Sequence, residues 1–385
     1  MLELWAEQAL VEGAWQRDVA LTIADSGRIG AVAVGASPRG MRVGALLAAP
    51  ANLHSHAFQR AMAGMAERRG PTGRDSFWTW RRLMFRFLEA LNPEDIEVIA
   101  AFVQMQMLEA GYAAVGEFHY LHHQPDGSPY ADPGELSGRM VEAARQSGIG
   151  LTLLPVLYQQ AGCDGAALAP GQVRFGNTVD RYAALLDRTA RSVATLPADA
   201  GVGVAPHSLR AVSRDGLAAT IRLAAGRPLH MHVAEQTAEV EEVLAAYGQR
   251  PIEWLLDHCP VDTNWCLIHA THMTESETMR LARTGAVAGL CPITEANLGD
   301  GIFNGVAYGD NGGRFGIGSD SNIRIALAEE LRTLEYSQRL RDRGRALLAT
   351  PTASTGRVLL EQAARGGAQA LGRDAGSITA GRWVL

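Results

Sequence analysis

The sequence predicts an α/β protein folded as an eight-stranded parallel TIM barrel, (β/α)8, with a small β-rich domain built from both chain ends. Three observations predict it. Short apolar stretches rich in Val, Ile, Leu and Ala alternate with longer segments of helical periodicity. Eight such stretches can be placed, the number a closed barrel needs. No Gly-rich phosphate turn follows an early strand, which counts against the rival open doubly wound sheet.

Taken in order, Val19–Ile23 and Ile29–Val34 read as a hairpin joined through Asp25-Ser26-Gly27. Barrel strands are expected at Val43–Ala48, Ala113–Phe118, Gly150–Val156, Gly201–Ala205, Leu229–Val233, Trp265–His269, Ala286–Leu290 and Phe315–Gly318. Helices fall between them, at Pro93–Ala110, Pro133–Ser147, Thr178–Thr195, Asp215–Ala225, Thr237–Tyr247 and Glu275–Thr284. Asn92 caps the first of these, and Pro93 occupies the first turn, where no N–H is missed. Met105, Met107 and Leu108 read as the core face of that helix. The tail turns at Ala380-Gly381 and returns through Arg382–Leu385 to the hairpin. The expected division is therefore 1–48 as a small β-domain, 49–347 as the barrel, and 348–385 as a helix and return strand.

The chain has 385 residues, with 35 Lys+Arg against 41 Asp+Glu and a formal net charge of -6. A mildly acidic chain without basic runs argues against a nucleic-acid partner. No apolar run approaches the roughly 20 residues that cross a bilayer, so no membrane partner is expected. The opening MLELWAEQALVEG carries acids where an export signal needs positive charge, so a cytoplasmic location is expected. Cys163, Cys259, Cys266 and Cys291 form no C-x-x-C pair and read as reduced thiols. A homodimer is the default assembly.

Polar residues gather where the strands end. Asn52-Leu53-His54-Ser55-His56 presents two imidazoles at period-two spacing. His207 follows the fourth strand, His230-Met231-His232 forms the fifth with Glu235 beyond it, His269 ends the sixth, and Asp320 follows the eighth. Imidazoles with one carboxylate suit a borderline cation such as zinc. A single histidine at a strand end is more often structural than a ligand, and HSH also arises by chance in loops. Several such residues on one barrel face shift the balance toward a metal centre. His122 and His123, in a Pro/Asp/Gly loop, read as solvent-facing, His230 as a core hydrogen-bonding residue, and His272 as structural.

His54-Ser55-His56, His232-Val233-Ala234-Glu235, His269-Ala270-Thr271-His272 and Ser319-Asp320-Ser321 together resemble the amidohydrolase superfamily, over about Ala49 to Gly372. The resemblance implies one divalent metal ion, usually zinc, held by His54, His56, His232 and Asp320. It also implies Glu235, His269 and Asp320 as catalytic groups. No lysine stands where binuclear members carry a bridging carbamate. Asn52–Arg60, Phe77–Arg81, Glu117–Tyr120, His207–Val212 and Thr294–Gly301 are similar to the signatures of the formiminoglutamate deiminase family. That family acts in histidine degradation, releasing ammonia from N-formimino-L-glutamate and leaving N-formyl-L-glutamate.

A dicarboxylate substrate calls for fixed cationic donors, and guanidinium groups meet carboxylates bidentately. Arg81 and Arg210 are the candidates, with Gln59, Tyr120 and His207 completing the hydrogen bonding; the same positions line the pocket by resemblance. Taken singly, most arginines are solvated surface residues. A deaminase of a heterocyclic base such as guanine would want stacking rings, which Phe77, Trp78 and Trp80 could supply. A barrel keeping only a non-catalytic metal centre is the third alternative. The presence of Glu235, His269 and Asp320 argues against it. The tail departs from the pattern: Gly376-Ser377-Ile378 runs quickly into Ala380–Leu385, so a stretch of the small β-domain is expected to be missing.

Overall fold

The computed structural model describes residues 1–67 and 77–384. Strands β1 (Leu2–Val11), β2 (Ala14–Ile23), β3 (Ile29–Ala33) and β4 (Met41–Leu46) form one sheet in the order β3-β2-β1-β4. β2 and β3 make the expected hairpin, and β4 runs parallel to β1. Ala6, Ala9, Val19, Leu21 and Ile29 form its apolar face together with Ile378 from the tail. The tail is tied in by backbone: Ile29 N–H donates to Arg382 O at 2.8 Å, and Val384 N–H to Gly27 O at 3.0 Å.

The barrel strands are β5 (Ala51–Ser55), β6 (Ala114–His119), β7 (Gly150–Leu157), β8 (Gly201–Val202), β9 (Ala205–Pro206), β10 (Leu229–Val233), β11 (Trp265–His269), β12 (Val287–Leu290) and β13 (Arg314–Ile317). All neighbours are parallel, in the order β10-β11-β12-β13-β5-β6-β7-β8. β8 and β9 are two halves of one interrupted strand, in which Pro206 has no N–H to give to a ladder. A bridge between Val204 and Leu229 closes the circle, with His230 N–H donating to Val204 O at 3.0 Å.

The expected first strand is corrected. Val43–Ala48 falls in and just beyond β4, which pairs with β1 and is largely exposed. The barrel begins instead with β5, every residue of which is buried. Asn52, His54 and Ser55 gave this segment the look of a loop. Their polar groups are tolerated inside because each faces a partner or the site at the strand's end.

Helix Thr355–Ala370 plugs the opposite end of the barrel. Ala51, Leu53, Ala114, Ile268 and Val287 pack there against Ala370 and Leu371. A side chain on Gly316 would stand 2.4 Å from Leu53 Cδ2 and 2.9 Å from Gly367 N, so this crossing needs glycine. His230 Nε2 meets Ala370 O at 2.7 Å, which makes it the core hydrogen-bonding residue expected. Helix Pro93–Glu109 starts at Asn92 with a reciprocal cap to Asp95. Its Met107 is buried, but Met105 and Leu108 face outward, because the helix turns them 100° per residue away from the core. Among the described residues no helix is long and apolar enough to cross a membrane.

Candidate active site

With one end plugged, the carboxyl ends of the strands form the open face. β5 delivers His54 as its next-to-last residue and His56 one residue past its end; β10 delivers His232 and the loop after β13 delivers Asp320. The ligand atoms of these four buried residues all lie within 4.8 Å of one another. His56 Nε2 is 3.3 Å and His54 Nε2 3.5 Å from Asp320 Oδ1. His56 Nδ1 donates to Phe118 O at 3.0 Å, which fixes the tautomer that leaves Nε2 bare toward the centre. Neither nitrogen of His54 nor Nδ1 of His232 has a hydrogen-bond partner, although both rings are buried. Buried imidazole nitrogens left bare around a carboxylate fit a cation better than they fit a hydrogen-bond network.

Electrostatics point the same way. Burial pushes His54 down to about 3 and lowers His56 and His232, so the imidazoles are neutral, the form that can coordinate. Burial works against the charge of Asp320, yet contact with His54 and the nearby His56 and His269 hold its carboxyl well below the usual range. Phe118 packs edge-on against His54, His56 and His232 with ring centroids 5.1, 5.5 and 4.5 Å away, forming an apolar floor.

A closed polar network fixes the backbone that carries these groups. Asn52 Nδ2 donates to Ser319 Oγ at 2.6 Å, and Ser319 N–H donates back to Asn52 Oδ1 at 3.0 Å. Asn322 Nδ2 donates to Ser55 Oγ, His56 O and Asp320 O, each at 3.1 Å. This network holds Asp320 in the left-handed region at φ 46°.

Glu235 and His269 stand beside the four. Glu235 Oε1 is 3.7 Å and Asp320 Oδ2 3.9 Å from His269 Nε2. Burial raises Glu235 to about 7, with Asp320 and Glu239 adding to the rise. Burial opposes the charge of His269, but Glu235, Glu295 and Asp320 push it up to about 10. The pair therefore offers an acid and a cation at neutral pH.

The cleft above this centre is lined by Gln59, Arg81, Tyr120, His207 and Arg210, all expected there. Arg210 is buried, with its cationic form favoured against burial by Glu239, Tyr158, Glu242 and Glu235. Arg81 is half-buried, donates to Tyr158 OH at 3.1 Å and lies over the Phe85 ring. Gln59 Nε2 donates to Tyr120 OH at 2.9 Å. His207 stacks on His232, centroids 4.9 Å apart. Phe77 and Trp80 also line the cleft, while the ring of Trp78 is outside the described residues.

One expectation about this region fails. His122 and His123 are buried, not solvent-facing: their Nε2 atoms reach Val156 O at 3.0 Å and Gly176 O at 2.8 Å. The loop that carries them folds back over the barrel wall, which its turn residues alone do not reveal. Four residues were missed. Glu239 Oε1 and Oε2 accept the N–H groups of Ala234 and Glu235, each at 3.0 Å, and so place Glu235. Glu295 contacts His269, and Asp300, raised to about 9 by burial and by Glu235, lies close by. Both sit inside the Thr294–Gly301 motif, so the signal was present. Tyr158, between Arg81 and Gln172, had no sequence signal at all.

The amidohydrolase family model matches residues 45–382. The chain belongs to the amidohydrolase family. It is 50% identical over 388 residues to a formimidoylglutamate deiminase of Pseudomonas aeruginosa, spanning 99% of this chain and 84% of that one. A crystal structure of an amidohydrolase from Brucella melitensis superposes with a TM-score of 0.96 at 49% identity, covering 100% of this chain and 85% of that chain. A 5-methylthioadenosine/S-adenosylhomocysteine deaminase of Natronomonas pharaonis is more remote, 28% identical over 86% of this chain and 69% of that one. None of the 385 residues of the sequence is a lysine.

Proposed function

We propose that this chain hydrolyses the formimino group of N-formimino-L-glutamate, taking up water and releasing ammonia to leave N-formyl-L-glutamate. The observation that carries the reading is the buried guanidinium of Arg210 in the cleft that also holds His54, His56, His232 and Asp320. A guanidinium lining the cleft offers a carboxylate two parallel N–H donors, a geometry that a dicarboxylate uses and a neutral heterocycle does not. The name of the 50% identical relative supports the same substrate.

His54, His56, His232 and Asp320 would hold one divalent ion, zinc by the chemistry of three imidazoles and a carboxylate. When bound, such an ion supplies a Lewis acid that makes water nucleophilic near neutral pH. The carboxylate of Asp320 takes the proton of the attacking water as the formimino carbon becomes tetrahedral. Glu235, raised to about 7, delivers a proton to the imino nitrogen. Asp320 returns the water's proton to the same nitrogen, and the hydroxyl on the tetrahedral carbon gives its proton to Glu235 as the C–N bond breaks, leaving ammonia and the formyl group. The charged ring of His269 faces the developing negative charge through Nε2. Arg210 and Arg81 hold the two carboxylates, with Tyr120, Gln59 and His207 closing the pocket around the chain between them.

The test is ammonia release from N-formimino-L-glutamate and from guanine in parallel, with metal content measured on the same protein. Release from the former alone supports the reading. Release from guanine alone assigns a heterocycle deaminase, and metal without either activity assigns a non-catalytic barrel.

A further inference from the structure

The two ring nitrogens of His269 face different partners. Nε2 looks toward Glu235 and Asp320, while Nδ1 lies 3.2 Å from Glu295 Oε1. Glu295 is itself immobilised. Its Oε1 accepts Cys291 N–H at 2.9 Å, its own N–H donates to Cys291 O at 2.9 Å, and its carbonyl accepts Asp300 N–H at 2.9 Å. A backbone N–H can only donate, so Oε1 acts as an acceptor there, and the hydrogen shared with the ring comes from Nδ1. His269 and Ala270 also sit at φ 68° and 48°, in the left-handed region that neither residue type favours. The ring orientation is thus imposed by its surroundings rather than by its own backbone preference.

We propose that Glu295 is a positioning residue for the hydrolysis: it accepts the Nδ1–H of His269 and so turns Nε2 to the reaction centre. The inference rests on the reading of His269 as the group facing the developing charge. Cys291 Sγ falls in the same cluster, its ligand atom within 4.8 Å of those of His269 and Glu295. A second cation there is the competing reading. The direct N–O contact between His269 and Glu295 is hydrogen-bond geometry and favours the proton.

The experiment uses the zinc-loaded full chain with ¹⁵N-labelled histidine, comparing wild type, Glu295→Ala and Glu295→Gln. The Nδ1–H signal of His269 is assigned by its loss in His269→Gln. In wild type that proton should be protected from exchange; Glu295→Ala should lose it, and Glu295→Gln, whose amide oxygen still accepts, should keep it. Turnover should follow: kcat falls about 100-fold in the alanine variant with KM little changed, and the glutamine variant recovers most of the loss. A protected Nδ1–H in Glu295→Ala overturns the proposal, as does its loss in Glu295→Gln. A second equivalent of zinc that disappears with Glu295→Gln also overturns it. If wild type releases no ammonia from N-formimino-L-glutamate, the substrate reading fails, and the nitrogen signal still decides what Glu295 does.

Discussion

His269 Nε2 and Glu235 Oε1 face each other at 3.7 Å on the open end of the barrel, too far for a hydrogen bond and close enough to govern each other's charge. In the proposed hydrolysis the leaving nitrogen is protonated in the space between them. Glu235→Gln keeps the volume and removes the proton. It should cost about 100-fold or more in kcat while zinc content stays at the wild-type level, measured by ammonia release beside metal analysis. Full turnover in this variant would remove Glu235 from the chemistry.

Metal dependence follows from the bare imidazole nitrogens. Dialysis against a chelator should abolish turnover, and zinc should restore it. Asp320→Ala should fail to regain activity and should bind less zinc, because it takes away the carboxylate nearest to both His54 and His56. Chelator-resistant activity would contradict the centre described.

Arg210 sits among Glu239, Tyr158, Glu242 and Glu235. Arg210→Ala should raise KM for the dicarboxylate about 10–100-fold, the scale of a hydrogen bond to a charged group. It should also lower the melting temperature, since buried acids lose their counter-charge. An unchanged KM would take Arg210 out of the substrate pocket.

Glu117 gives a pH signature of stability. Its carboxyl is buried, which raises it from 4.5 to about 8 against the N–H of Ala57 and the hydroxyl of Ser55. The folded chain therefore holds a proton that the unfolded chain has released between those values, and stability falls as pH rises from 4.5 to about 8. Glu117→Gln should flatten that slope while its amide oxygen still accepts Ala57 N–H. Melting temperatures across this window check it; a slope equal to wild type counts against it.

Gly316→Ala tests the plug at the far end. Its new methyl would meet Leu53 Cδ2 at 2.4 Å and Gly367 N at 2.9 Å. Overpacking of this kind costs about 1–3 kcal/mol, so the melting temperature should drop with little change in KM. No drop would mean that the terminal helix yields at no cost.

By itself the sequence determined the barrel, because alternation of buried strands with amphipathic helices is a local property that periodicity records. Helix Thr237–Tyr247 and strands Leu229–Val233 and Trp265–His269 lie where it places them. Strand-end positions alone left several imidazoles and carboxylates as candidates; the likeness to the amidohydrolase superfamily singled out His54, His56, His232 and Asp320, whose ligand atoms lie within 4.8 Å of one another. The sequence misplaced the first strand, because Asn52, His54 and Ser55 are polar yet buried by contacts remote along the chain. Only the tertiary structure decided that Glu239 meets the Glu235 backbone, that Glu295 meets the His269 ring, and that His122 and His123 turn inward. Those roles depend on hydrogen-bond distances between segments up to tens of residues apart, and spacing along a chain carries no record of such distances.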